Sequence, residues 1–393
     1  MNVLIVGGGI AGTSCAEELR KLNSKAEITI ISEENHPLYS RVLLPHYAIG
    51  KVEREKCFLK SEKWYQDQNI ELLLGQRVVR LDTKNKFVEL DDARELSYDK
   101  LVIAGGTEPR TVSGEPKGVV YFWALDDVDH MLSVINGLKH EAFKTQAVVH
   151  GGGFIACEFI NVFRNHDIDT VVTFRGKHFW NKILNDQAGL LIQNHLEQSG
   201  IQILPKAELV GARGDQDLKA VDTTKGDLPC SLLGVAIGNT PETRWLADSG
   251  IEINQGIKTD EFLETNVENI FAIGDIAESY DLVAGRQYSA GNWGRAMMQG
   301  RTVAKTIAGE RTAYEQVSSY AINLLGLDIT FIGDTNKRAA DDVVVWGSVD
   351  QGALTQIFVR NEKVVGAATI GRNQDRKILT EAIQNKQGIP GLK

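Results

Sequence analysis

The chain opens on an apolar run, Val3-Leu4-Ile5-Val6, that breaks at once into Gly7-Gly8-Gly9-Ile10-Ala11-Gly12. A helical stretch through Thr13–Leu19 follows, and then a second apolar run, Ile28-Thr29-Ile30-Ile31. This pattern predicts strand, tight turn, helix and strand. The same grammar returns at Ala147-Val148-Val149-His150, Gly151-Gly152-Gly153, a helix through Cys157–Asn165 and a strand over Thr170–Phe174. Gly7 and Gly151 are 144 residues apart, so one supersecondary unit occurs twice.

Further along, the pattern predicts a helix over Lys60–Asp67, a hairpin over Val78–Leu90 and strands at Leu101–Ala104, Leu232–Ile237 and Ile270–Ile273. A long amphipathic helix spans Trp293–Ile307 and stops at Gly309. Apolar and polar positions then alternate over Ala321–Ile332, Asp342–Trp346, Ala353–Val359 and Lys363–Ile370, and a helix over Asp375–Gln384 ends the series. Gly- and Pro-rich segments at 105–116 and 238–241 read as crossovers. The expectation is an α/β protein with two Rossmann-like dinucleotide-binding domains, the second inserted in the first. Residues 1–109 and 238–311 form one and 110–237 the other, with a small α+β domain over 312–393.

Each glycine cluster follows a strand and opens a helix, the context a dinucleotide fingerprint requires. The first glycine permits the turn, the second admits a pyrophosphate to the backbone, and the third position lets helix and strand pack closely. Unpaired N–H groups and the positive dipole end at the helix start favour the phosphates. Gly7, Gly9 and Gly12 fill these positions in the first copy, and Gly151, Gly153 and Ala156 in the second. After the second strand of the first copy stands Glu33, 26 residues beyond Gly7, where a carboxylate accepts from ribose hydroxyls. The second copy has Arg175 instead. An Arg there pairs with a 2′-phosphate and favours NADPH, or it is simply exposed beside NADH; the sequence leaves both open.

Composition narrows the class. Of 393 residues 42% are hydrophobic and 24% charged, ordinary values for a globular chain and unlike a disordered or collagen-like one. The apolar runs are too short to span a bilayer, and no secretory leader is read at the N-terminus. A net charge of −9 argues against broad nucleic-acid binding. The four cysteines, Cys15, Cys57, Cys157 and Cys230, form no CxxC pair, which favours a reduced, cytoplasmic setting.

The two glycine units, Ala104-Gly105-Gly106-Thr107-Glu108-Pro109-Arg110 and Ile273-Gly274-Asp275 together resemble the glutathione-reductase-like FAD/NAD(P)H oxidoreductases, over essentially the whole chain. Within them, His36–Tyr47 and Ser318–Asp334 resemble the corresponding segments of rubredoxin reductases, ferredoxin reductases and the FAD part of assimilatory nitrite reductases. The resemblance implies FAD on the first unit and NAD(P)H on the second. It implies FAD contacts for Arg41, for the backbone of Val78, for Ala104 and Gly105, and for Asp275 on the ribityl chain. It places Glu158 at the nicotinamide–flavin contact and His46 near the flavin. By order in the chain, the helix opening at Asn292-Trp293 aims its N-terminus at the flavin C2=O, with Trp293 shielding the ring or packing in the core.

Disulfide-using relatives carry cysteine in the segment that here reads Tyr39–Tyr47, and this chain has none there. The resemblance therefore implies an enzyme that takes hydride from NAD(P)H onto FAD and passes electrons, without an active-site disulfide, to a small carrier such as rubredoxin or ferredoxin. The other readings are an oxidase or diaphorase acting on oxygen or a quinone, and a nucleotide-sensing flavoprotein that recruits a partner. Monomer and homodimer both stay open. Lys51, Arg54 and Lys56 are a modest candidate docking face, but Glu53 and Glu55 interleave with them and the run reads rather as a solvated mixed-charge face.

Overall fold

The structure, a computed structural model, describes residues 1–113, 116–138 and 146–391; residues 114–115 of the expected crossover lie outside these. In chain order the elements that frame the sites begin with β1 (Asn2–Val6), α1 (Ile10–Leu22), β2 (Glu27–Ser32), β3 (Ile70–Leu74), β4 (Lys100–Ile103) and β5 (Val119–Val120). There follow β6 (Gln146–His150), α2 (Phe154–Asn165), β7 (Asp169–Phe174), β8 (Gln202–Pro205), β9 (Leu232–Val235), β10 (Ile270–Ala272) and α3 (Trp293–Ile307). The last are β11 (Ser319–Leu324), β12 (Leu327–Gly333), β13 (Asp342–Ser348), β14 (Ala353–Arg360), β15 (Lys363–Ile370) and α4 (Asp375–Gln384).

The chain packs as two compact units. The first comprises Met1–Val42, Glu53–Glu108 and Thr240–Ser318; the second comprises Leu43–Val52, Pro109–Asn239 and Ser319–Lys393.

In the first unit a five-stranded parallel sheet runs in the order β10-β4-β1-β2-β3. Both faces are covered, which is why its strands read as unbroken apolar runs rather than alternations. Val3, Ile5, Ile30 and Val102 pack with Cys15 and Leu19 of α1 and Val303 of α3. Leu4, Ile31, Leu101 and Ile103 face the other way, against Leu81, Val88 and Leu90 of the hairpin. Helices α1 and α3 approach until a Cβ on Gly300 would stand 2.3 Å from the Ala11 carbonyl oxygen, so only glycine fits there.

The second unit repeats the scheme with a parallel sheet ordered β8-β7-β6-β9-β5. It also holds a second, antiparallel sheet of order β11-β12-β15-β14-β13, with α4 packed on it. The single alternating run expected over Ala321–Ile332 is two strands. Leu325 (φ 49°) and Gly326 (φ 95°) make a two-residue turn that pairs Leu324 with Leu327. Helices Leu125–Leu138 and Asp186–Gln198 and the three-stranded antiparallel sheet within Leu209–Pro229 belong to this unit and carry no signal used above.

Candidate functional site

Two glycine turns, one per unit, have the same geometry. Gly7 has φ 119°, and a Cβ on it would stand 2.2 Å from the Ala104 carbonyl oxygen. Its N–H donates to the Ile31 carbonyl at 2.8 Å, so the turn is sewn between β2 and β4. A Cβ on Gly12 would meet the Gly7 carbonyl oxygen at 2.1 Å, which requires close passage of α1 over the turn. Gly9 is different, because a Cβ there would meet nothing within 4 Å. Gly9 also caps α1 without a side-chain bond to its first N–H groups. The result is an open cradle lined by uncapped backbone donors, which suits a pyrophosphate.

Around this turn the first unit gathers the other expected residues. Glu33 is exposed just beyond β2 and lies 3.6 Å from Arg77. Partial desolvation holds its carboxyl above the ordinary range, and Glu108, Asp91 and Glu242 push the same way against the pull of Arg77. Ala104 is buried and donates its N–H to Val6, Gly105 is exposed beside it, and Val78 is buried at a strand start. Asp275 follows Gly274, whose φ is 74°. Burial raises its pKa, and the Arg41 guanidinium, the Asn292 N–H and Arg295 oppose that rise. Arg41 itself pairs with Glu34 at 2.6 Å, and the Tyr39 hydroxyl donates to the same carboxylate at 2.6 Å. Trp293 is half-buried at the first position of α3; the Asn292 side chain caps that helix by accepting from the Arg295 N–H at 2.9 Å.

In the second unit Gly151 has φ 151°, and a Cβ on it would stand 2.1 Å from the Ala236 carbonyl oxygen. Its N–H donates to Thr173 at 2.8 Å. Ala156 is fully buried in the first turn of α2. Arg175 is exposed immediately after β7. Glu158 is half-buried on α2, and burial pushes its pKa up to about 7 against a hydrogen bond from Asn161. His46 is exposed on the short helix Leu44–Ala48. That helix is tied to the end of α2 by His166 Nε2 and Asn165 Nδ2, which meet the Ala48 and Ile49 carbonyls at 2.9 and 3.3 Å. The two candidates thus share one unit, with no hydrogen bond between them.

Several residues escaped the sequence reading. His150, at the end of β6, is buried, and burial and Arg175 press its pKa down to about 4. The Leu209 N–H donates to its Nε2 at 3.4 Å, which leaves the proton on Nδ1 to donate to Thr173 Oγ1 at 2.7 Å. Glu34, directly after Glu33, accepts from Tyr39 and Arg41, which follow it by five and seven residues. Gln299 accepts from the Gly274 N–H at 2.8 Å and so braces the turn that presents Asp275.

All four cysteines are free and buried, and burial raises the pKa of Cys15, Cys157 and Cys230. Among the described residues no group of three or more His, Cys, Asp or Glu is placed to hold a metal, and no helix is long and apolar enough to cross a membrane.

Two sewn glycine turns on parallel sheets define the class of Rossmann-like folds, whose turns suit a dinucleotide. Residues 1–300 match the model of the pyridine nucleotide-disulphide oxidoreductase family, and the chain belongs to that family. Among its relatives is the nitrite reductase [NAD(P)H] of Bacillus subtilis (strain 168), 29% identical over 98% of this chain and 48% of that protein. The chain therefore spans about half the length of that relative. The ferredoxin–NAD(+) reductase subunit of the benzene 1,2-dioxygenase system of Pseudomonas putida is 27% identical over 98% of this chain and 92% of the subunit. The crystal structure of the covalent putidaredoxin reductase–putidaredoxin complex matches with a TM-score of 0.91 at 23% identity, covering 98% of this chain and 93% of that one, and it speaks for the fold.

Proposed function

We propose that the protein takes hydride from NAD(P)H onto FAD and passes the electrons to a small carrier protein of the ferredoxin or rubredoxin kind, without an active-site disulfide. The observation that carries this is the pair of glycine turns, each with an open second position, in a chain whose four thiols are all buried. The resemblance of the whole chain to a ferredoxin–NAD(+) reductase subunit supports the acceptor class.

Bound FAD supplies a two-electron store that can be emptied one electron at a time. The residues of the chain bind and orient. In this reading Gly7, Gly9 and Gly12 and the start of α1 take the FAD pyrophosphate, and Glu33 accepts from the adenosine ribose. Asp275 accepts from a ribityl hydroxyl, since an ionised carboxylate is acceptor-only. Arg41 adds positive charge near Asp275. Val78, Ala104 and Gly105 would line the path of the nucleotide, and the N-terminus of α3 at Trp293 would lend the positive end of its dipole to the flavin. In the second unit Gly151, Gly153 and Ala156 take NAD(P)H, with Arg175 at its ribose end. Glu158, with a pKa of about 7, holds or releases a proton at neutral pH, and His46 is the second residue assigned to the neighbourhood of the flavin.

The test is an anaerobic titration of the purified protein with NADH and NADPH, followed in the visible spectrum, and then turnover with ferredoxin or rubredoxin against oxygen consumption. The expected result is stoichiometric flavin bleaching and turnover that depends on the carrier. Full-rate turnover without a carrier would replace this reading by the oxidase.

A further inference from the structure

The loop after β7 carries a titratable residue that no step above uses. His178 is buried, and its ring lies in a slot on the helix Asp186–Gln198. A Cβ on Gly189 of that helix would stand 2.1 Å from the His178 ring carbon Cγ, so only glycine leaves room for the imidazole. Glycine is unfavourable inside a helix, and here the slot accounts for it.

Both ring nitrogens face acceptors. Nδ1 lies 2.9 Å from the Phe179 carbonyl oxygen, and Nε2 lies 3.2 Å from Asp186 Oδ1. A neutral imidazole has one N–H and donates to one of them, whereas the imidazolium donates to both. The other oxygen of the same carboxylate, Asp186 Oδ2, lies 3.8 Å from Lys177 Nζ. Lys177 and Asp186 are exposed. Among the described residues, Asp186 is the ion-pair partner of His178, and Lys177 is the second cation on that carboxylate. From Gly189 and the Phe179 carbonyl the ring meets no charge.

The carboxylate therefore serves two cations when His178 is charged and one when it is neutral. With His178 charged, the three side chains keep one positive charge in excess; with His178 neutral, Asp186 balances Lys177. Lys177 stands two residues beyond Arg175, in the loop that follows the second strand of the unit, where the adenosine ribose is read. A 2′-phosphate there feels the difference, and an unmodified ribose does not.

We propose that His178 is a positioning residue for coenzyme choice: when charged it engages Asp186 and frees the Lys177 ammonium for the 2′-phosphate of NADPH. The proposal rests on the reading that the second unit binds NAD(P)H with its ribose end at Arg175. Histidine side chains change charge between about pH 5 and 8, so the preference for NADPH over NADH that His178 adds is present at acid pH and lost as pH rises.

The test is calorimetric binding of NADP+ and NAD+ to FAD-loaded wild type, His178→Asn and Asp186→Asn at pH 6 and pH 8. The phosphate itself titrates near pH 6, equally for every protein, so the NADP+/NAD+ Kd ratios are compared between proteins at one pH. At pH 6, His178→Asn is expected to favour NADP+ about threefold less than wild type, the scale of an exposed ion pair, and at pH 8 the two are expected to agree. Asp186→Asn alters an exposed side chain, and it is expected to favour NADP+ about threefold more than wild type at pH 8. Equal ratios for wild type and His178→Asn at pH 6 overturn the proposal. Should His178→Asn fail to fold, Asp186→Asn decides, and an unchanged ratio overturns the proposal. Wild type that binds NAD+ and not NADP+ overturns the proposal and leaves the second unit as the nucleotide site. Wild type that binds neither overturns both.

Discussion

Arg295 and Asp281 meet at 2.6 Å inside the first unit, with side chains only 2% and 5% exposed. The guanidinium also donates to Ser279 Oγ at 2.7 Å, and Ser279 accepts from Gln299, which accepts from the Gly274 N–H. The ion pair is thus the far end of a chain that fixes the turn before Asp275. Removing one partner strands a buried charge, at a cost of about 3–5 kcal/mol. Arg295→Met is expected to lower the melting temperature sharply and to release FAD on gel filtration. Replacing both partners with apolar residues is expected to recover much of the stability. A single variant that melts like wild type removes the pair from this role.

Gly7 and Gly9 separate folding from binding. Gly7→Ala forces a side chain to φ 119° and drives its Cβ into the Ala104 carbonyl, so little folded protein is expected. Gly9→Ala meets no protein atom and has extended backbone, so the apoprotein is expected to melt within a degree or two of wild type. Its methyl group fills the cradle, and FAD affinity is expected to fall at least about tenfold, since the second glycine is the point of backbone approach to the pyrophosphate. Fluorescence titration of apoprotein with FAD reads this directly.

Both turns were legible in the sequence because their logic is local: strand, glycines and helix are contiguous. The pairing of Ala104 with Gly7 was partly legible, since Leu101–Ala104 reads as a strand, but the contact spans almost 100 residues and only the fold supplies it. Arg295 and Asp281 were invisible as a pair, because nothing in a charge 14 residues from another says that both will be buried. His150 was missed for a related reason: it is an ordinary residue by type, made unusual only by burial beside a turn. The antiparallel sheet ending in α4 was readable by alternation, but its first hairpin was run together because Leu325 gives no sign of its left-handed conformation.

Arg175 stands where a ribose-binding acid would stand, and it is exposed. If its guanidinium pairs with the 2′-phosphate, Arg175→Glu replaces attraction by repulsion. The expected outcome is a drop of about tenfold or more in kcat/KM for NADPH, with NADH little changed. Steady-state kinetics with both donors checks this, and an unchanged ratio shows that Arg175 does not read the phosphate.

Glu158 gives the stability of the protein a pH signature. Its pKa in the folded protein is about 7, raised by burial from a value of 4.5. The folded state therefore binds more protons than the unfolded chain between those values, and stability falls as pH rises through that window. The contribution is fully present below about pH 4.5 and lost by about pH 8, with a magnitude of roughly 3 kcal/mol at 1.36 kcal/mol per pKa unit. Glu158→Gln keeps the shape and removes the titration. The difference in unfolding free energy between wild type and Glu158→Gln, measured by urea denaturation from pH 5 to pH 8, is expected to change in favour of the variant as pH rises. A pH-independent difference would mean that the carboxyl titrates in the ordinary range, and Glu158 would then carry no proton at neutral pH for the chemistry of the nicotinamide.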